Sequence, residues 1–307
     1  MSEKEYKVFE EEINLTKLIN DISSRRYVYL GFLLAVTLIS SIILISIPNE
    51  YTSTSVVSIK ESSSSSSTGN SLGDIGSALN PLAVFSTNMG SSRKGYVLRL
   101  LKSRTFFEYH VKKNKSFLKE LHAFKSFEKD SNINVFDVDI YNPDSETWNS
   151  NLFPGGSPSL LLSQKEFSSY FYIEEEDTLE NYLTLKIQHE SPLIAKRWLE
   201  NLIISFNTYV REKEANEANL SLKYLNTVIA ETNVPEVKGV IANLIKNQIK
   251  DLMITNVNDD YVLKIIDKPF LPEKKSFPDR FLFLISSIFI SLFLILIFSL
   301  LFPKKIE

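Results

Sequence analysis

Two long apolar runs bracket an otherwise mixed chain. Tyr27–Ile47 (YVYLGFLLAVTLISSIILISI) and Phe281–Phe302 (FLFLISSIFISLFLILIFSLLF) hold no charged residue. As helices rising 1.5 Å per residue, both are long enough to cross a hydrocarbon core of roughly 30 Å. Lipid offers the backbone no partner, so each run must be helical. The first exceeds the ~7–15-residue apolar region of a secretory leader, and no small-residue cleavage pattern follows it. It reads as a span. Two spans place both termini on one side and leave residues 48–280 as the body between them. Charge gives the orientation. Arg25 and Arg26 precede the first span, Lys304 and Lys305 follow the second, and the start of the body carries only Lys60. Lys274, Lys275 and Arg280 flank the second span on the body side, but long domains cross largely regardless of charge. The expected plan is a cytoplasmic segment 1–26, a span 27–47, an extracytoplasmic body 48–280, a span 281–302 and a cytoplasmic tail 303–307.

Within the body the apolar period changes repeatedly. Tyr51–Lys60 (YTSTSVVSIK) is rich in β-branched residues and predicts a strand. Glu61–Pro81, with six consecutive serines, has too little apolar surface for a core and predicts a loop. Helical patterns follow over Arg93–His110 and Ser116–Lys129. Ile133–Tyr141 alternates as a strand. Turn residues fill 143–159, and YFYIEEED and NYLTLKIQHE predict two strands around an acidic turn. The longest uninterrupted pattern is residues 191–232. Ser191 and Pro192 make a good helix start. Ala195, Leu199, Leu202, Phe206 and Tyr209 form an apolar stripe, which resumes at Ala218, Leu222, Leu225 and Ile229 after the polar REKEANEAN. A helix polar all round has left its core. Asn233-Val234-Pro235 breaks it, residues 236–257 predict a returning helix, and Asp260–Asp267 a last strand. The expected class is α+β: two transmembrane helices flank an α/β base in which the first and last strands pair, and a long helical hairpin protrudes from it. Before the first span, Glu10–Ser23 carries a partly helical stripe with Asn14 as N-cap. It either lies on the membrane or a partner, or simply leads into the span.

Just before the second span, Pro269, Pro272 and Pro278 punctuate a charged segment. Each proline fixes φ and biases its predecessor to extended backbone, so residues 268–280 predict a semi-rigid strut. Lys274, Lys275 and Arg280 fit a headgroup layer, with Arg25 and Arg26 their counterparts at the other span. Ser287 and Ser291 offer a small-residue contact to Gly31 and Ala35.

Candidate chemistry is sparse. The net charge of −3 gives no basic field for nucleic acid, and the absence of cysteine removes disulfides and thiolate metal sites. His110, His122 and His189 are scattered without metal-ligand spacing. Glu174, Glu175, Glu176 and Asp177 read as a solvated turn rather than an acid/base pair, which needs two different environments. Arg93, Lys94, Arg99, Lys102 and Arg104 mark a basic helix face, solvated or meeting an anionic glycan or lipid. No catalytic residue, cofactor or metal is expected.

EINLTKLI, NEYTSTSVVSI and IDKPFLPEKKSFPDR, in that order around two spans, resemble the polysaccharide co-polymerases, the Wzz-type chain-length determinants, in the branch without a kinase. The resemblance implies a homo-oligomeric ring in the bacterial inner membrane with its bulk in the periplasm. It implies no enzymatic activity. It implies control of how many repeats a Wzy-type polymerase adds to a lipid-linked glycan, lipopolysaccharide O-antigen or a related polysaccharide. An export adaptor for capsule polysaccharide shares the same membrane plan.

Overall fold

The structure, a computed structural model, describes residues 25–60, 92–175, 181–257 and 260–301. The expected helix over Glu10–Ser23, the serine-rich loop, the tip of the acidic turn and the tail 303–307 lie outside them. In chain order the elements are α1 (Arg26–Ser46), β1 (Tyr51–Ile59), α2 (Ser92–Leu101), α3 (Arg104–Lys113), α4 (Phe117–His122), β2 (Phe124–Glu128), β3 (Ile133–Phe136), β4 (Tyr141–Asn142) and β5 (Thr147–Trp148). Then come α5 (Leu160–Phe167), β6 (Phe171–Glu175), β7 (Tyr182–His189), α6 (Pro192–Glu231), α7 (Pro235–Val257), β8 (Leu263–Asp267) and α8 (Arg280–Leu301). The chain divides into two units, residues 1–49 with 276–307 and residues 50–275.

In the first unit α1 and α8 pack against each other. Tyr29 and Leu44 are buried on α1, and Ser287, Ser291, Ile295 and Ser299 on α8, while most other apolar side chains are exposed. Both helices pass the length and hydropathy test for a membrane span. Their hydroxyls are satisfied within their own turns: Thr37 donates to Leu33 O (3.0 Å), Ser41 to Thr37 O (2.8 Å), Ser287 to Leu284 O (2.8 Å) and Ser291 to Ile288 O (2.8 Å). Such back-bonding lets a hydroxyl enter hydrocarbon without an orphan donor.

The second unit is built on a four-stranded antiparallel sheet of order β6-β7-β1-β8. β1, which follows α1, and β8, the last strand, lie side by side as expected. On the core face stand Ser53, Ser55, Val57 and Ile59 of β1 and Leu183, Leu185, Ile187 and His189 of β7, all buried. The first half of α6 covers this face with Ile194, Ala195, Trp198, Leu199, Leu202, Ile203, Phe206 and Val210. Spacings of three and four keep these residues on one side. Val97, Leu101, Phe106, Phe107, Phe117, Leu121 and Phe167, from α2 to α5, complete the core. Phe106 meets Phe206 edge-on at 5.1 Å, and Phe117 lies 4.9 Å from Trp198.

Two buried polar groups lock α6 in place. Trp198 Nε1 donates to Glu120 Oε2 (2.7 Å), and Arg197 holds the other oxygen of that buried carboxylate at 2.8 Å. Asn207 Oδ1 accepts from Val262 N (3.0 Å) and Leu263 N (2.8 Å), while its Nδ2 donates to Leu263 O (2.9 Å). One amide thus satisfies three backbone groups where β8 begins.

Ser191 caps α6, its hydroxyl accepting from Ile194 N, with Pro192 in the first turn. The helix is continuous for 40 residues, about 60 Å at 1.5 Å per residue. Beyond Val210 none of its residues is buried. After a break before Pro235, α7 packs against it, with Ile241 and Gln248 its buried residues among those described.

Four local expectations are corrected. The pattern over Arg93–His110 is two helices, because the Ser103 hydroxyl accepts from Phe106 N (3.2 Å) and starts a new helix that runs on to Lys113. The helix expected over Ser116–Lys129 stops at His122. Phe124–Glu128 instead pairs with Ile133–Phe136, and the Phe124 ring packs 4.7 Å from His189. The strand expected to reach Tyr141 ends at Phe136, where Asp137 Oδ1 accepts from Asp139 N (2.9 Å) and turns the chain. Inside the stretch expected to be turns, β5 pairs with β4 just before it as a two-residue ladder, and α5, which follows, is a helix that the pattern did not predict.

Candidate functional site

The end of β8 and the segment after it are bound to β1 through one serine each. Ser55 Oγ donates to Asp267 O (2.6 Å) and Ser53 Oγ donates to Phe270 O (2.8 Å). Both serines are fully buried, and a buried hydroxyl is tolerated only when bonded. Alternation places them on the core face of β1, and the segment's carbonyls are their acceptors. β1 therefore holds β8 by its ladder and the following residues by its side chains.

Between Lys268 and Arg280 the buried residues are Pro269, Pro272 and Pro278; the others are exposed. The segment thus turns its prolines inward and its charges outward. Lys274 and Lys275 are exposed, as are the rings of Phe270 and Phe277. The Phe277–Pro278 bond is cis. The strut ends one residue earlier than expected. Arg280 is the first residue of α8, because Asp279 caps it: its carboxylate accepts from Phe281 N (3.1 Å) and Leu282 N (3.2 Å). A carboxylate there also meets the positive end of the helix dipole. Arg280 donates to Asn49 Oδ1 (3.3 Å), joining the start of α8 to the end of the α1 segment. Likewise Arg26, expected to flank the first span, is the first residue of α1, with Arg25 just before it.

The expected small-residue contact is not brought together. Ser287 and Ser291 are buried, but Gly31 and Ala35 are exposed, and a Cβ on Gly31 would meet nothing within 4 Å. The buried positions of α1, Tyr29 and Leu44, lie on another side of the helix.

Other polar clusters lack a reactive geometry. His122 Nε2 lies 2.7 Å from Ser163 Oγ, and His122 Nδ1 lies 3.0 Å from Glu166 Oε2. The order serine–histidine–carboxylate is that of an acyl-transfer site. Here Ser163 is fully buried and back-bonds to Ser159 O (2.9 Å), so no substrate reaches it. Trp148 and Phe153 pack around the His122 ring, and the cluster ties α4 to α5. Burial lowers the pKa of His122, opposed by Glu166. Burial pushes His110 down to about 4 and His189 to about 3, so both are neutral core rings. Glu174 and Glu175 stand on β6 in ion pairs with Lys186 (2.5 Å) and Lys94 (3.1 Å); Glu176 and Asp177 lie outside the described residues. The expected basic face is divided: Arg93 and Lys94 are half-buried, whereas Arg99, Lys102 and Arg104 are exposed, the last on α3. Among the described residues no three His, Asp or Glu side chains come together as metal ligands.

Comparison with known proteins gives one sequence match. Residues 11–95 match the family model of the Wzz chain length determinant protein, so the resemblance drawn from the chain's own motifs stands over that stretch, α1 and β1 included. The proline-rich segment lies outside it. No curated protein matches the chain. A solved full-length bacterial polysaccharide co-polymerase aligns with 96% of this chain and 100% of its own, at 11% identity and a TM-score of 0.38, a likeness too loose to argue from.

Proposed function

We propose that the chain is a non-enzymatic inner-membrane scaffold that regulates the length of a surface polysaccharide, lipopolysaccharide O-antigen or a related glycan. The match of residues 11–95 to the chain length determinant family carries this reading. The structure supports it in kind: two apolar helices bracket a body whose first and last strands pair, and its buried histidines serve packing. Length control needs a dwell time or a ruler rather than bond chemistry, and a scaffold supplies either. In this reading residues 48–280 are periplasmic and both termini cytoplasmic. Copies of the chain assemble as a ring, and the partners are a Wzy-type polymerase and its lipid-linked glycan. The helix pair α6–α7, in which α6 has no buried residue beyond Val210, is the protruding hairpin.

Deletion of the gene, read on a lipopolysaccharide gel, tests the proposal. Loss of the modal length while polymer is still made supports it. Loss of all polymer transfers the chain to export, the role of a capsule adaptor. An unchanged ladder removes it from length control.

A further inference from the structure

The outer face of the four-stranded sheet carries a row of polar side chains around one exposed aromatic ring. Strand register sets its side chains in rows: Thr52 beside Gln188, Thr54 beside Lys186 and Tyr172, Val56 beside Thr184 and Glu174. Beside these rows lies an open cavity of about 520 Å³, lined by Thr52, Lys102, Tyr172, Glu174, Lys186 and Gln188 together with the apolar Phe171 and Ile173. That volume falls within the ~300–1,000 Å³ of small-molecule sites.

The lining is pre-set. The Tyr172 hydroxyl donates to Ser169 O (2.7 Å), which holds a ring that is 46% exposed. Lys186 is steadied by Glu174 at 2.5 Å, and the Gln188 amide donates to the Glu50 carboxylate. Lys102, exposed on the turn between α2 and α3, adds a cation. An aromatic plate, a planar amide, a threonine and an ion pair of both signs match a ligand with one apolar C–H face and many vicinal hydroxyls. A nucleic acid would need a strongly basic floor, and an apolar peptide helix a greasy one.

We infer that this face is a saccharide-binding groove, with Tyr172 as the stacking plate and Gln188, Lys186 and Thr52 as hydroxyl partners. Its ligand would be a segment of the growing glycan, an identification that rests on the reading under Proposed function. The test uses the full chain in nanodiscs. Oligosaccharides released by mild acid from the host strain's own surface polysaccharide are titrated by calorimetry, with dextran oligosaccharides as control. Saturable binding of the released fragments, weakened about tenfold by Tyr172→Ala and by Gln188→Ala and retained by Tyr172→Phe, supports the groove. Tyr172→Phe also separates loss of the ring from loss of the fold. Binding unaffected by Tyr172→Ala, equal binding of dextran, or no binding at all overturns it. Absence of binding alongside a deletion strain that has lost its modal length sinks the groove alone. Binding in a chain whose deletion leaves the ladder unchanged sinks the length-control reading and keeps the groove.

Discussion

A few polar side chains carry disproportionate weight in the core. Asn207 serves three backbone groups at the start of β8. Leucine there would fit the apolar surroundings but leave those groups buried and unpaired, each at a cost of about 1–3 kcal/mol. Asn207→Leu is therefore expected to destabilise the body by about 3 kcal/mol or more, read as a lowered thermal midpoint of the full chain in detergent; an unchanged midpoint would show that water replaces the clip. His110 gives a pH-dependent counterpart. Burial holds its pKa at about 4, below its ordinary value of 6.5. Above pH 6.5 it is neutral whether folded or unfolded and does not make stability depend on pH. Between 6.5 and about 4 the unfolded chain takes up a proton that the folded chain refuses. Stability therefore falls with pH by up to ~1.4 kcal/mol per unit from this residue. His189, pushed to about 3, adds a slope of the same sign. The His110 ring packs 4.9 Å from Phe117, so His110→Phe keeps an aromatic at that contact. Its unfolding free energy should fall less steeply from pH 6.5 to 4.5 than that of the unaltered chain, and equal slopes would refute the assignment. Neither residue advertises its role in the sequence. An Asn inside a helical stripe and a His after two phenylalanines look like tolerated exceptions, and their partners lie far along the chain or through space.

At the element scale, legibility followed periodicity. The apolar runs, β1 and the start of α6 each repeat one pattern over many residues, and their bounds came within a residue or two. α2 and α3 were merged because the serine that separates them is a cap, a single residue set against a helical pattern that continues on both sides. Ser53 and Ser55 show the converse. The β-branched run marked β1 as a strand without saying which face is buried, and two serines invert what a core face usually carries, since both are fully buried against the Asp267 and Phe270 carbonyls. That inversion is where the site was least legible: the three prolines could be read as a strut, but not that they are its buried residues or that β1 grips it. If inward prolines set the segment's path, Pro272→Ala with Pro278→Ala should shift the modal glycan length while the chain is still inserted and assembled. An unchanged ladder would reduce the segment to a linker. Ser53→Val with Ser55→Val, which keeps size but removes both donors, should shift the ladder the same way and weaken the body by about 1–3 kcal/mol. A shift from the proline pair alone would place the effect in backbone stiffness rather than attachment.

For the whole molecule the decisive quantity is the side of the membrane on which the body folds, since the proposed role in surface-polysaccharide length requires the body to lie outside the cytoplasm. The proposed topology rests on Arg25 and Arg26 and on an even number of spans. A chain without cysteine makes this unusually clean to measure, because a single introduced thiol is the only one present. Ser150 is exposed in the turn after β5, distant in sequence from both spans, and Ser150→Cys should leave the fold intact. In intact cells whose outer membrane has been made permeable, a membrane-impermeant maleimide is expected to label Ser150→Cys without lysis, while Lys304→Cys should react only after the inner membrane is opened. Two spans require the two positions to differ. The same label on both would mean that one apolar helix does not cross, and the reverse pattern would put the body in the cytosol, beyond the reach of the glycan it is proposed to measure.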